Sequence, residues 1–309
     1  MPTKCLTPVR GKMSRYTRLD QCGRVVLGPD SVVTSKGFVS VALTVNTEAT
    51  DAISVPNAAG EKCVNEPGVT TVTGITAVVT FCNVDPDIYI LTTGANPVLD
   101  AFGNTVGFDV DTATSPSDVR FALEVWTGIS GGGGCADGGT GQFGYLLLPY
   151  MQGGTVGDYT IENGAVSFSI ANATSLDGNA WGVGPYNVVL DADGEESTLL
   201  NGGITSTTHH RFMLTDVAPP EAACGARPLL DSTAPALTSI DATAVGLDAT
   251  VVPTPAGAEP WWADFGDGTW DYSEGGTSLV HTYEAAGTYT ITAQRGTSEV
   301  TTTVTVTAP

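Results

Sequence analysis

Apolar and polar residues alternate with period two over several stretches of the chain, the pattern of β-strands with one face against a core. Val39, Val41, Leu43 and Val45 share one face, as do Ile75, Ala77, Val79 and Phe81. From Val119 to Val125 the apolar Val119, Phe121, Leu123 and Val125 alternate with Arg120, Ala122 and Glu124, which predicts another half-buried strand. Asn163-Gly164 suits the positive φ values of a type I′ turn, so a hairpin there would pair Ile161 with Val166 and Tyr159 with Phe168 on one face. One short helix is expected: Asp85 can cap it, Pro86 suits its first turn and Gly94 can end it after Ile88, Tyr89 and Leu91.

The run Gly131 to Gly134, continuing past Asp137-Gly138-Gly139, predicts a flexible loop, because each glycine loses much backbone entropy on ordering. A phosphate cradle would need a following Lys and a helix start, and the sequence has neither. Between Pro219 and Pro235 the chain turns rich in Pro and Ala, then returns to Thr and Val. The expected division is therefore a first domain over residues 1–230 and a second over 231–309.

Composition agrees with a mainly β chain. Only 15% of the 309 residues are charged, while Gly numbers 38 and 41% of residues are hydrophobic, enough for a core in each domain. The net charge of -21 argues against a Lys/Arg groove for DNA or an anionic membrane. That charge is uneven. Residues 1–36 hold Lys4, Arg10, Lys12, Arg15, Arg18, Arg24 and Lys36 against Asp20 and Asp30, and from Asp231 onward Arg295 is the one base. The N-terminus lacks the apolar run of a signal peptide and no window reaches the length of a membrane span, so the chain is expected to be made in the cytoplasm. Cys5, Cys22, Cys63, Cys82, Cys135 and Cys224 form no CxxC pair and are expected to be buried free thiols, with their disulfide state open.

From Trp261 the chain reads Trp-Trp-Ala-Asp-Phe-Gly-Asp-Gly-Thr, then His281-Thr282-Tyr283, then Gly287-Thr288-Tyr289-Thr290-Ile291. Asp267-Gly268 signals a tight turn, Trp262 and Phe265 are expected core anchors, and Tyr289, Ile291, Ala293 and Val300, Val304, Val306 alternate. These pieces resemble the polycystic-kidney-disease (PKD) type of immunoglobulin-like domain. The motif residues are Trp262, Phe265, Gly266, Asp267, Gly268, His281, Tyr283, Gly287 and Tyr289. The resemblance implies a seven-stranded β-sandwich used for contact or spacing and not for chemistry.

Residues 1–230 carry Asn57-Ala58-Ala59-Gly60-Glu61-Lys62-Cys63, Phe81-Cys82-Asn83-Val84-Asp85-Pro86-Asp87, and Thr93-Gly94 through Val98-Leu99-Asp100 to Gly103-Asn104-Thr105-Val106-Gly107-Phe108. They continue with Phe121 to Gly128, Asn179-Ala180-Trp181-Gly182-Val183-Gly184-Pro185-Tyr186 and His209-His210-Arg211-Phe212. In this order the strings resemble the major tail tube proteins of long-tailed phages that infect actinobacteria. The resemblance implies a β-sandwich-like unit with a helix, forming hexameric rings that close a shared barrel and stack into a tube through which DNA leaves. It also implies a virion location, other tail proteins (tape measure, terminator, distal tail) as partners, and no cofactor. An acidic lumen would let DNA slide past unbound, and the basic segment 1–36 is expected to dock on a neighbouring ring.

Enzyme constellations are thin. His209 and His210 are adjacent and would point to opposite faces of a strand, and three histidines leave a Ser-His-Asp triad little to draw on. Asp191 and Asp193, in Asp191-Ala192-Asp193-Gly194-Glu195-Glu196, and Asp264 with Asp267 and Asp271 are calcium candidates, with turn chemistry as the plainer reading. Trp261, Trp262 and Trp270 are candidates for contact with host-surface glycans. The competing expectation is a secreted cell-surface or carbohydrate-binding protein that carries a PKD module.

Overall fold

The computed structural model describes the chain apart from residues 1–7, 102, 130–142, 160–166, 178–187, 191–195, 200–203, 216, 232 and 309. Strands β1 (Pro8–Leu19), β2 (Gly28–Ser35), β3 (Phe38–Ala49), β4 (Ile53–Pro56), β5 (Lys62–Glu66) and β6 (Thr70–Phe81) precede helix α1 (Pro86–Thr93). Then come β7 (Asn96–Leu99), β8 (Thr105–Asp109), β9 (Arg120–Ile129), β10 (Phe143–Gln152), β11 (Thr155–Val156), β12 (Phe168–Ser175), β13 (Val188–Leu190), β14 (Glu196–Leu199), β15 (Arg211–Thr215) and β16 (Arg227–Leu229). The C-terminal strands are β17 (Ser239–Val245), β18 (Asp248–Thr254), β19 (Trp261–Asp264), β20 (Trp270–Ser273), β21 (Leu279–Thr282), β22 (Gly287–Arg295) and β23 (Ser298–Val306). The protein is mainly β, as its composition and alternation predict.

One large sheet runs in the order β16-β2-β1-β9-β10-β12-β6-β3, with β11 beside β12 and β15 beside β10. It forks at β10, whose first half pairs β15 and whose end pairs β12, with a register shift between Leu148 and Met151 on the β9 side. The sheet curls so that Tyr16, Val33, Phe121, Leu123 and Val125 meet Ile75, Ala77, Val79, Phe81, Ile170 and Ala173 in one core. Helix α1 seats Ile88, Tyr89 and Leu91 in the same core, and Tyr89 stacks on Phe108 of β8 at 4.5 Å. Its caps follow the sequence: Asp85 accepts from the Asp87 N–H, Pro86 opens the first turn, and Gly94 ends it in the left-handed conformation at φ 74°.

A second core lies on the opposite face of β1, β9 and β10, where Met13, Ala122, Trp126, Tyr145, Leu147 and Tyr150 are covered by Ile204, Val217 and Leu229. This corrects the half-buried reading of β9. Phe121, Leu123 and Val125 face the first core while Ala122, Glu124 and Trp126 face the second, so the strand is covered on both sides and Glu124 is 0% exposed. On β3, Val41 and Leu43 pack on the first core, whereas Val39 and Val45, on the expected apolar face, are exposed.

Most of the basic segment is built into the body: β1 is a central strand between β2 and β9, and Arg15 is buried. The thiols of Cys22, Cys63, Cys82 and Cys224 are exposed and unpaired, not buried, because they lie in turns and hairpins that no core covers. Cys5, Cys135, the glycine run and the Asn163-Gly164 turn lie outside the described residues, although the Tyr159 and Phe168 rings that flank this turn do meet, at 4.8 Å.

After β16 ends at Leu229, a third core starts at Leu237 and is filled by Ile240, Val251, Trp261, Phe265, Leu279, Tyr283, Ile291 and Val304. It is enclosed by a three-stranded sheet, β17-β18-β21, and a four-stranded sheet, β20-β19-β22-β23. These seven strands form a sandwich.

Candidate functional site

The most unusual feature of the large sheet is an arm without a core. β3 and β6 pair from Phe38↔Phe81 to Ala49↔Thr70, with a bulge that admits Thr73 as an extra residue beside Gly74, at φ 154°. Beyond that bulge, residues 47–73 are exposed without a break. The arm is nevertheless regular: β4 pairs β5, and at its tip Asn57 Oδ1 accepts from the Ala59 and Glu61 N–H groups at 2.9 and 2.8 Å while Gly60 takes φ 84°. Ile53, Val55, Val64, Val69 and Val72 are 44–60% exposed along it, and Val55 sits directly opposite Val64. A two-stranded ribbon is marginal alone, and apolar surface in such a ribbon gains most from cover.

β3 is also a sheet edge, because β6 is its one partner among the described residues. Its 12 residues present unpaired backbone groups over about 40 Å, a ready template for another strand. A second hairpin, β7–β8, exposes Leu99 and Val106 while Phe108 packs on the first core. Of the sequence strings named above, Asn57 to Cys63 falls on an exposed hairpin and not in a core, whereas Val98 to Phe108 ends on a ring that packs against the first core.

One constellation escaped sequence reading. Ser175 Oγ lies 2.9 Å from His209 Nδ1, and His209 Nε2 lies 3.1 Å from Asp177 Oδ1. With the proton on Nε2, serine donates to histidine and histidine to carboxylate, a chain like that of a hydrolase triad but with the two ring nitrogens exchanged. Its surroundings differ from those of a nucleophile: the Ser175 oxygen already accepts the Ile75 N–H at 2.7 Å, and the residue is buried. The trio clamps the β6 bulge to the end of β12. No motif flags it, because its members are brought together by chain reversal across 34 residues. His210, next in sequence, is exposed.

In the C-terminal sandwich Phe265, Asp267, His281, Tyr283 and Tyr289 of the motif form one stack. Asp267 Oδ1 accepts from the Thr269 N–H and hydroxyl at 3.0 and 2.6 Å, and Oδ2 meets His281 Nε2 at 2.7 Å. Burial pushes the Asp267 carboxyl up, but hydrogen bonds from Thr269 and His281 outweigh it and hold the group below the ordinary carboxylate value. The His281 ring stacks on Phe265 at 4.2 Å and meets Tyr283 edge-on at 4.5 Å, and Tyr283 in turn stacks on Tyr289. The Tyr283 hydroxyl donates to the Phe265 carbonyl at 3.0 Å. Gly266 at φ 78° and Gly268 at φ 94° make the turn that aims Asp267 inward. Gly287 starts β22.

Of the calcium candidates, Asp264 Oδ1 accepts the Gly266 N–H and serves the turn with Asp267, while Asp271, within β20, accepts the Tyr272 N–H. Asp191 and Asp193 lie outside the described residues. Among the described residues no group of three His, Cys, Asp or Glu side chains could hold a metal ion.

The tryptophans exchange roles. Trp261, expected at the surface, is 0% exposed and donates its indole N–H to the Thr277 carbonyl at 2.9 Å. Trp262, expected as a core anchor, is half-buried on the outer face and meets Trp270 edge-on at 6.1 Å. Trp261 is therefore closed to a glycan, because the alternation of β19 turns it into the core.

No curated protein matches the chain. A family model, the PKD domain, matches residues 240–308. With its seven strands in two sheets and the Asp267–His281–Phe265–Tyr283 stack at its turn, the segment 240–308 is a PKD domain.

Proposed function

We propose that this chain is a structural virion protein: residues 1–230 assemble into stacked hexameric rings that form the hollow tail tube of a long-tailed phage, and the PKD domain stands on the outside. The observation that carries this reading is the arm at residues 47–73, an ordered ribbon that exposes Ile53, Val55, Val64, Val69 and Val72 and continues an unpaired sheet edge. Such a surface is costly in a monomer and is relieved when a second copy completes the sheet and covers the ribbon. The resemblance of residues 57–63, 81–87 and 93–108 to tail tube proteins points the same way. A net charge of -21 suits a conduit whose wall repels phosphate and lets the genome pass. On this reading the protein does no chemistry; it meets the other tail proteins at the tube ends and resides in the virion.

Negative-stain imaging of the purified full chain at rising concentration tests the proposal. Rings of six subunits or tubes are the expected result, and replacement of residues 51–68 by a short Gly-Ser turn should abolish stacking while the body stays folded. A chain that remains monomeric at high concentration would overturn it in favour of a cell-surface binding protein.

A further inference from the structure

The outer face of the four-stranded PKD sheet carries an aromatic group that is already in use. Trp262 and Tyr272 are cross-strand partners, as are Asp264 and Trp270, so all four side chains share that face. Over them lies Arg227 of β16, which belongs to the large sheet. Its guanidinium carbon is 5.6 Å from the Trp262 ring and 5.8 Å from the Trp270 ring, and one nitrogen is 3.7 Å from Asp264 Oδ2. Gly28, paired with Leu229 across β2 and β16, approaches the Tyr272 hydroxyl, for a Cβ built on it would lie 3.9 Å away. Burial works against the Arg227 cation, so the two indole faces and the Asp264 carboxylate are what make its position favourable.

The connecting segment is held at its other end too. The Ser298 hydroxyl accepts the Leu237 N–H at 2.6 Å, and Gly296 at φ 59° sits so close to the Ala234 carbonyl that a Cβ there would be 2.8 Å from it. The composition of residues 219–235 predicts a linker. Its geometry is that of a strap seated on the β22–β23 turn.

We infer that the aromatic face of the PKD domain is a docking surface for β16 of the same chain, with Arg227 as the clamp that sets the domain at one fixed angle to the body. Trp262 and Trp270 are thus committed to this contact and are not a free platform for host glycans. The surface left outward is the β22–β23 half of the same sheet, where Thr288, Thr290 and Thr292 stand opposite Thr305, Thr303 and Thr301. This inference concerns one chain and does not depend on whether copies assemble.

Thermolysin digestion of the full chain, cutting within residues 229–237, tests it with Arg227→Ala, Trp270→Ala and the double variant. Each single variant should be cut about tenfold faster than the parent, and the double variant no faster than either single, because both remove one contact. Arg227→Lys should fall between, since lysine keeps the charge but not the planar stack. Small-angle scattering should show a longer maximum dimension for the Ala variants, with the melting of the PKD domain unchanged in Arg227→Ala. A parent chain cut as fast as the variants, or single effects that multiply in the double variant, would overturn the clamp.

Discussion

Arg15 and Glu124 stand directly opposite each other on β1 and β9, joined by two N–H to carboxylate bonds of 2.6 and 2.9 Å, with their side chains 3% and 0% exposed. Tyr145 donates its hydroxyl to the same carboxylate at 2.6 Å, and Arg15 lies over the Trp126 ring at 5.1 Å. A paired buried charge contributes little net stability, but a broken pair is expensive. Glu124→Ala should therefore lower the stability of the body by about 3–5 kcal/mol, by breaking a buried pair from one side. Chemical denaturation read from body signals checks this, and the PKD transition should not move.

The Ser175–His209–Asp177 trio is expected to be structural. Ser175→Ala removes the acceptor of the buried Ile75 N–H and should cost about 1–3 kcal/mol. A fluorophosphonate probe that labels active serines should leave the native chain unmodified. Labelling at Ser175 would reverse that conclusion.

Burial and the neighbouring Asp267 raise the Tyr283 phenol from its ordinary 10.0 to about 12. The folded state holds this proton more tightly than the unfolded chain does. The resulting stability is complete below pH 10 and is lost as pH rises from about 10 to about 12. Melting temperatures of the PKD domain should fall across that window. Tyr283→Phe should flatten this dependence while lowering stability at neutral pH, through loss of the bond to the Phe265 carbonyl.

Val55 and Val64 face each other at 50% and 44% exposure and touch no core. A double change to Lys should leave the melting curve within about 0.5 kcal/mol of the parent. Sedimentation should then show self-association lost. In the parent, Cys63, exposed on β5, should react with a thiol reagent in the monomer and be shielded on assembly. Equal reactivity in both states would remove the arm from the interface.

Much of the local structure was legible in the chain. The caps of α1 lie in Asp85-Pro86 and Gly94 because a carboxylate, a fixed φ and a missing Cβ act within a single turn. The Asp267-Gly268 turn and the alternation of β6 and β22 are equally local. What alternation could not convey is which faces find cover. Glu124 is polar by pattern, yet it is buried, because Ile204, Val217 and Leu229 cover that face of the sheet and Arg15, 109 residues away, neutralises it. Trp261 and Trp262 must point to opposite sides of β19 on any reading; the sandwich core took the first, and Arg227 took the second. The clamp at Ser175 and the use of residues 8–35 as central strands likewise arose from contacts between distant segments. A sequence by itself determines how neighbouring residues divide between two sides. The packing of remote segments decides what each side meets, because that depends on the closure of the whole chain and not on any one stretch of it.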